Sequence, residues 1–316
     1  MRIPPPVVTL TLNPAIDQSA RVKDFQAGAV NRVQSVQIDA GGKGVNVASF
    51  LAHFDHRVTA TGLMGQDNAV IFERLFAEKS IEDRFIRIPG RVRVNVKLVD
   101  AVRDQVTDIN YPGAAAPASG YNAVKDMIVR LSDEGMEHFV LAGSMPQDGP
   151  DHLFHDLIDL LKAKGACVYL DTSGEALHWG LKATPDVIKP NLAELRAVTG
   201  KPLTSHHEII DEVHKLSDGG IGLAAVSMGS EGALFITETR CVLAKAPETK
   251  VVSSVGAGDA MVAGIIHGRL SGLPLHTIAR QSTAFAVAAL GEIGPRLPHK
   301  EAVLSIADQV EVEDLV

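Results

Sequence analysis

The chain has 316 residues, 46% hydrophobic and 22% charged, a composition that suits a globular protein with a large core. Its formal net charge of -8 speaks against a nucleic-acid or anionic-membrane binder, and no apolar run is long enough for a membrane span or a secretory signal. Cys167 and Cys241 lie far apart and build no disulfide framework, so both read as buried thiols of a reducing cytoplasm. The 12 histidines are scattered and read as surface residues rather than metal ligands.

Val7 to Leu12 alternates β-branched and aliphatic residues and predicts a buried strand. Asn13-Pro14-Ala15-Ile16-Asp17 ends it, which puts Asp17 just past a strand end, where open α/β sheets place ligand groups. Residues 19–38 alternate polar and apolar with short breaks and predict exposed strands. Ala40-Gly41-Gly42-Lys43-Gly44-Val45-Asn46 then precedes a segment at helical spacing, and its glycines let the backbone approach a ligand closely. The loop is not a P-loop, because Lys43 is followed by Gly44, and it fails the dinucleotide fingerprint at the third small residue.

Val58 to Met64 predicts a strand and Ala69 to Lys79 a helix. Ile86 to Asp100 is the clearest period-2 segment: Arg91, Arg93, Asn95 and Lys97 alternate with Val92, Val94, Val96 and Leu98. One face is polar and cationic and the other apolar, as expected of an exposed sheet that covers a ligand. Val106 to Tyr111 is its expected hairpin partner. From Gly120 onward helices (121–133, 152–164, 192–199, 207–218) alternate with strands (138–142, 168–171, 187–189, 223–227, 233–237). That alternation predicts an α/β fold with a mainly parallel sheet covered on both faces.

Thr249 to Ser253 reads as a strand leading into Val255-Gly256-Ala257-Gly258-Asp259, which opens an apolar helix through Leu270. Backbone N–H groups at such a helix start form an anion site. A carboxylate there would repel a phosphate, so Asp259 is better explained as a base aimed at the attacking group.

Six motifs in order resemble the PfkB family of carbohydrate kinases, from about residue 7 to 300. They are Thr11-Leu12-Asn13-Pro14-Ala15-Ile16-Asp17, the Gly41–Asn46 loop, Gly143-Ser144-Met145-Pro146, Lys189-Pro190-Asn191-Leu192-Ala193-Glu194, Ser227-Met228-Gly229-Ser230-Glu231-Gly232 and Val255–Asp259. The resemblance implies a ribokinase-like three-layer α/β/α fold, read as a single kinase domain with a small β lid inserted from about 17–39 and 88–112. It implies ATP and Mg²⁺ as cofactors and a phosphorylated ketohexose as acceptor, with fructose 1-phosphate ahead of fructose 6-phosphate and tagatose 6-phosphate. Asp259 with Gly256, Ala257 and Gly258 would form the catalytic turn. Asp17, Gly41, Gly42, Lys43, Asn46, Arg93 and Ser144 would bind the sugar phosphate, with Lys97 or Arg32 as further cations. Lys189, Asn191, Ser227, Gly229, Ser230, Gly232 and Gly258 would line the nucleotide, and Glu194 with Asn191 would position the metal through water.

The chain departs from the family pattern in two places: Ser253-Ser254 replaces an Asp-Thr pair, and Val92 replaces a Thr before the lid arginine. The lid's apolar face needs cover, so a homodimer through the lid is expected. A silent sugar-phosphate sensor on the same fold and, more remotely, a nicotinamide oxidoreductase stay open as alternatives.

Overall fold

The computed structural model describes residues 5–103, 105–147, 149–217 and 220–315. Strand β1 (Val7–Thr11) leads into β2 (Ala15–Val22) and β3 (Val33–Gly41), then α1 (Lys43–His53), β4 (Val58–Gly65), α2 (Val70–Glu78) and β5 (Glu82–Ile88). A hairpin of β6 (Arg93–Asp100) and β7 (Gln105–Ile109) precedes α3 (Ala118–Asp133). The middle of the chain runs β8 (His138–Ala142), α4 (Leu153–Ala163), β9 (Cys167–Asp171), α5 (Gly174–Lys182), β10 (Val187–Ile188), α6 (Leu192–Thr199), α7 (His206–Ser217) and β11 (Leu223–Ser227). It closes with β12 (Ala233–Ile236), β13 (Cys241–Lys245), α8 (Ala257–Leu270), α9 (Leu275–Leu290), α10 (Lys300–Ala307) and β14 (Glu311–Asp314).

Among the described residues, ten strands form one sheet in the order β14-β13-β12-β11-β10-β9-β8-β1-β4-β5. From β11 to β5 every pairing is parallel, and β12, β13 and β14 are added antiparallel. Helices cover both faces. One layer packs α1, α2, α8, α9 and α10 on residues such as Val7, Phe50, Phe72 and Phe285; the other packs α3 to α7 on Val8, Ile128, Phe154 and Leu195. Adjacent Val7 and Val8 therefore face opposite layers, which explains why the central strands read as unbroken apolar runs. This is the three-layer α/β/α architecture with its mainly parallel sheet.

The remaining four strands form a small sheet in the order β3-β2-β6-β7. Registers Asp17↔Asn95, Asp17↔Asp39 and Ser19↔Lys97 put Arg93, Asn95, Lys97, Asp17 and Asp39 on one face. Val36, Ile38 and Ile109 stand on the other and are 47%, 53% and 45% exposed.

Several expectations change here. The period-2 run Ile86–Asp100 is two strands: β5 belongs to the large sheet and β6 to the lid. The chain breaks at Pro89-Gly90, where proline lacks an N–H and Gly90 adopts φ +99°. Asp17 lies inside β2 rather than just past a strand end. Thr249–Ser253 forms no strand; the N–H groups of Val252 and Ser253 both donate to the Leu290 carbonyl, which takes them out of any ladder. The strand before α8 is instead β13. A helix begins near His207 as expected, but Asp218, its expected end, lies outside the described residues. His56 is a core residue, not a surface one, with its Nε2 2.8 Å from His267 Nδ1.

Candidate active site

The carboxyl ends of β1, β8, β9 and β10 meet the lid's polar face, and a cleft of about 530 Å³ opens between them. Open α/β sheets leave such a crevice where neighbouring strands send their connections in opposite directions. Here β1 lies between β4 and β8. Asp17, Gly42, Lys43, Asn46, Arg93, Ser144, Lys189, Asn191, Glu194, Gly256, Gly258 and Asp259 all line this cleft. Residues more than 200 positions apart in sequence thus converge: Asn46 Nδ2 donates to Asp259 Oδ2 over 2.7 Å.

Two helix starts face each other there. Helix α1 begins after Gly42 (φ +111°) and α8 after Gly256 (φ +79°), and neither has a side-chain cap. The first-turn N–H groups of each are therefore free of intrahelical partners. Both turns need glycine: a Cβ on Gly42 would lie 3.0 Å from the Pro14 backbone, and one on Gly256 3.3 Å from that of Pro295. A Cβ on Gly41 would sit 2.4 Å from Asp17 Oδ2, so this glycine lets the loop lie on the Asp17 carboxylate.

Asp259 sits in the first turn of α8 and is only 6% exposed. Burial pushes its pKa up to about 6, with the Asp171 charge adding to the shift against the opposing pull of Lys43, Asn46 and Lys189. The sequence pattern assigns Asp171 no role. It ends β9, is 1% exposed, and its Oδ1 lies 3.0 Å from Lys43 Nζ and 3.5 Å from Lys189 Nζ. Burial opposes its charge, but Lys189 and Lys43 more than offset that and hold its carboxyl below the ordinary range. Its place at the carboxyl end of a predicted strand was the one sequence signal for it.

Lys43 is therefore not a free cation at the sugar end. Burial works against its charge, yet Asp171, Asp259 and Glu194 together raise its pKa. Its Nζ lies 3.9 Å from Glu194 Oε1, which places it between the two sides of the cleft. Asn191 and Glu194 form a capping box at the start of α6: Asn191 Oδ1 accepts from the Glu194 N–H, and Glu194 Oε2 accepts from the Asn191 N–H, both at 2.8 Å. Asn191 thus fixes Glu194, which keeps Oε1 for the cleft. Among the described residues no cluster of three acidic, histidine or cysteine side chains surrounds this point. Glu194 Oε1 and the buried, unbonded Asp171 Oδ2 are oxygens of the kind a hydrated Mg²⁺ takes.

On the lid, Asp17 is 8% exposed and its pKa is raised, first by burial, against the pull of Lys97, Asn95 and Arg93. Asn95 Nδ2 donates to Asp17 Oδ1 at 3.1 Å, a partner that the period-2 pattern places on this face without assigning it a role. Arg93 donates to the carbonyls of Asn13, Pro14 and Tyr111, so its guanidinium is pinned at the cleft wall. Asn13 Nδ2 in turn donates to Ser144 Oγ at 3.2 Å. Lys97 lines the cleft paired to Asp108 at 3.0 Å, whereas Arg32 is exposed and lines neither cavity of the site.

A second cavity of about 750 Å³ adjoins the cleft and shares Ser227, Ser254 and Gly258 with it. Gly229, Ser230, Gly232 and Ala257 line it together with the apolar Met261, Ala286, Val287 and Leu290. A Cβ on Gly232 would come within 2.2 Å of the Ala244 carbonyl, so this turn keeps its close backbone approach only as glycine. A polar cleft and an apolar pocket therefore meet at the N-terminus of α8, beside Asp259.

Comparison with known proteins gives the family and the fold. The chain is 48% identical over 309 residues to a 1-phosphofructokinase of Rhodobacter capsulatus, covering 98% of each. It is 35% identical to that of Escherichia coli K12, covering 97% of this chain and 98% of the relative. Among solved structures, a Thermotoga maritima protein described as a possible 1-phosphofructokinase superposes with a TM-score of 0.89 at 26% identity, covering 98% of this chain and 100% of that one. Escherichia coli phosphofructokinase-2 with substrates and products does so at 0.89 and 25% identity, covering 96% and 98%. The pfkB carbohydrate kinase model matches residues 6–302, the span that contains both helix starts, Asp259 and the lid, and the chain belongs to the pfkB family of carbohydrate kinases.

Proposed function

We propose that this kinase transfers the γ-phosphate of ATP to the C6 hydroxyl of fructose 1-phosphate. The observation that carries the reading is Asp259: a buried carboxylate with its pKa raised to about 6, in the first turn of a helix, where two cavities join. A base with a pKa near the working pH is what removal of a hydroxyl proton asks for. The relatives named 1-phosphofructokinase support the acceptor.

In this reading the sugar phosphate fills the 530 Å³ cleft, with Asp17 and Asn46 on its hydroxyls and Arg93 and Ser144 toward its phosphate. The nucleotide base and ribose take the apolar cavity along Ser227, Gly229, Ser230 and Gly232. Asp259 accepts the hydroxyl proton as the oxygen attacks the γ-phosphorus in line. The N–H groups of Ala257, Gly258 and Asp259 and the Lys189 ammonium stabilise charge on the transferring group. Glu194, aimed by Asn191, would hold Mg²⁺ through water. When bound, that ion neutralises phosphate charge. Asp171 keeps Lys43 and Lys189 in place between the two substrates.

The chain reads as one kinase domain with the lid inserted, and the bare face of Val36, Ile38 and Ile109 suits a second lid in a homodimer. The two unpaired cysteines fit a cytoplasmic location.

A coupled ADP-release assay tests the reading on fructose 1-phosphate, fructose 6-phosphate and tagatose 6-phosphate. Fructose 1-phosphate should give the highest kcat/KM by at least tenfold. A preference for either 6-phosphate overturns the acceptor assignment, and no turnover on any of the three overturns the kinase reading in favour of a sensor.

A further inference from the structure

The lid touches the catalytic helix start through a set of bonds that the reaction outlined above does not use. On β3, the Asp39 carboxylate is 9% exposed and takes one donor on each oxygen: Arg296 Nη2 at 2.5 Å on Oδ1 and Gln37 Nε2 at 2.8 Å on Oδ2. The same Gln37 nitrogen donates to the Ile293 carbonyl at 2.8 Å. Ile293 and Arg296 both lie in the loop that follows α9. The next residue after Ile293, Gly294, adopts φ +79°, and a Cβ there would sit 2.4 Å from Asp39 Oδ2. The loop backbone therefore lies directly on the lid carboxylate. One residue further, Pro295 packs on Gly256, the cap of α8.

The contacts form a continuous chain, from Asp39 to the 293–296 loop, to Gly256, to the first turn of α8 and Asp259. At its other end, Asp39 is the register partner of Asp17 on β2, and the two side chains share the cleft-side face of the lid. The Asp39 charge also pushes the Asp17 carboxyl upward. Arg296 neutralises that charge, so it acts on the sugar side of the cleft and on the phosphate side at once. A buried carboxylate stripped of its cation would repel Asp17 and loosen its hold on the loop.

We propose that Asp39 and Arg296 are positioning residues that couple the lid to the α8 N-terminus, so that sugar phosphate seated under the lid sets the phosphoryl-binding turn for transfer. The inference rests on the kinase reading above. Neither residue lines the cleft; each acts through the 293–296 loop and Gly256.

The test uses the full-length protein and three variants, Asp39→Asn, Arg296→Met and the double variant. First, the unsubstituted protein must turn over fructose 1-phosphate; if it does not, the kinase reading fails and not the coupling. Given turnover, each single variant should lower kcat about five- to twentyfold with the KM for ATP within about twofold, and the double variant should be no worse than the worse single one, the non-additivity of groups acting as one unit. Amide hydrogen exchange supplies a readout besides activity. Fructose 1-phosphate alone, without nucleotide, should slow exchange across residues 256–260 in the unsubstituted protein and fail to do so in Arg296→Met. Additive kcat losses overturn the coupling, as does normal kcat in both single variants. So does sugar-phosphate protection of residues 256–260 that persists in Arg296→Met. Arg296→Lys keeps a cation at the same place and should recover most of kcat; a loss equal to that of Arg296→Met, with an equal fall in Tm, would mark a merely structural contact and overturn the proposal.

Discussion

In the large sheet β1 is buried along its whole length, with Val7 and Val8 under opposite helical layers. In the lid, β3 leaves Val36 and Ile38 about half exposed, 47% and 53%. The groups that would act on the transferred phosphate, Lys189, Asp171 and Asp259, hang from the covered scaffold and are 5%, 1% and 6% exposed. Of those that would hold the sugar phosphate, Asp17 and Arg93 stand on the lid. The scaffold is packed from both sides and holds its groups in a fixed array, as electrostatic stabilisation of a transition state requires. The lid is packed from one side, so its position depends on what it covers and on the contacts at its base.

The comparison predicts that scaffold substitutions strike turnover and lid substitutions strike affinity. The largest effect is expected at Asp259. Asp259→Asn should lower kcat by ~10²–10⁴-fold, the usual worth of a general base, with sugar-phosphate affinity little changed. Near-normal turnover in steady-state assays would remove Asp259 from the role of base.

The next effect is on the lid. Arg93→Ala should raise the KM for fructose 1-phosphate by roughly ten- to a hundredfold, matching the loss of a charge-assisted hydrogen bond, while kcat changes less. A fall in kcat at unchanged KM would break the division of labour between the two sheets.

A smaller and graded effect is expected with pH. Asp259 must be ionised to accept a proton, and its pKa is raised to about 6. kcat/KM should therefore hold steady above that value and fall about tenfold per pH unit well below it. The Asp171 charge contributes to the upward shift, and Lys43 and Lys189, which it now engages, oppose it. Asp171→Asn removes the repulsion and frees the lysines, so the acid limb should move to lower pH. A pH–rate profile whose limb stays in place would show that these charges do not govern the base.

The smallest effect on chemistry is expected at the bare lid face. Ile38→Lys should convert the proposed homodimer to a monomer in sedimentation velocity, with little change in kcat. A monomer at micromolar concentration for the unsubstituted chain would refute the homodimer and leave that face without a second lid.

The sequence was most legible where local chemistry decides. The strand His138–Ala142, helix Leu192–Thr199 and helix Ala257–Leu270 fall where their patterns predict, because caps, glycine turns and apolar periodicity are local signals. The Pro89-Gly90 break is hidden in the sequence because alternation continues across it, although β5 and β6 belong to different sheets. Thr249–Ser253 has β-branched composition, but Val252 and Ser253 give their N–H groups to Leu290, a partner far along the chain. Buried His56 gave no sign of its place, since its partner His267 lies 211 positions away.

By itself the sequence determined the α/β class, the two glycine turns that open α1 and α8, and the acid that follows the second. Each rests on a few adjacent residues whose backbone freedom or side-chain chemistry admits few alternatives. Only the tertiary structure decided what those turns face. It brought Asn46 within 2.7 Å of Asp259, set Asp171 between two lysines, and laid the 293–296 loop on Asp39. It also drew Lys43 from an expected sugar-end cation into the centre of the site. The pKa of Asp259 belongs to that second class, because burial and the charges of groups remote in sequence set it, and neither exists until the chain has folded.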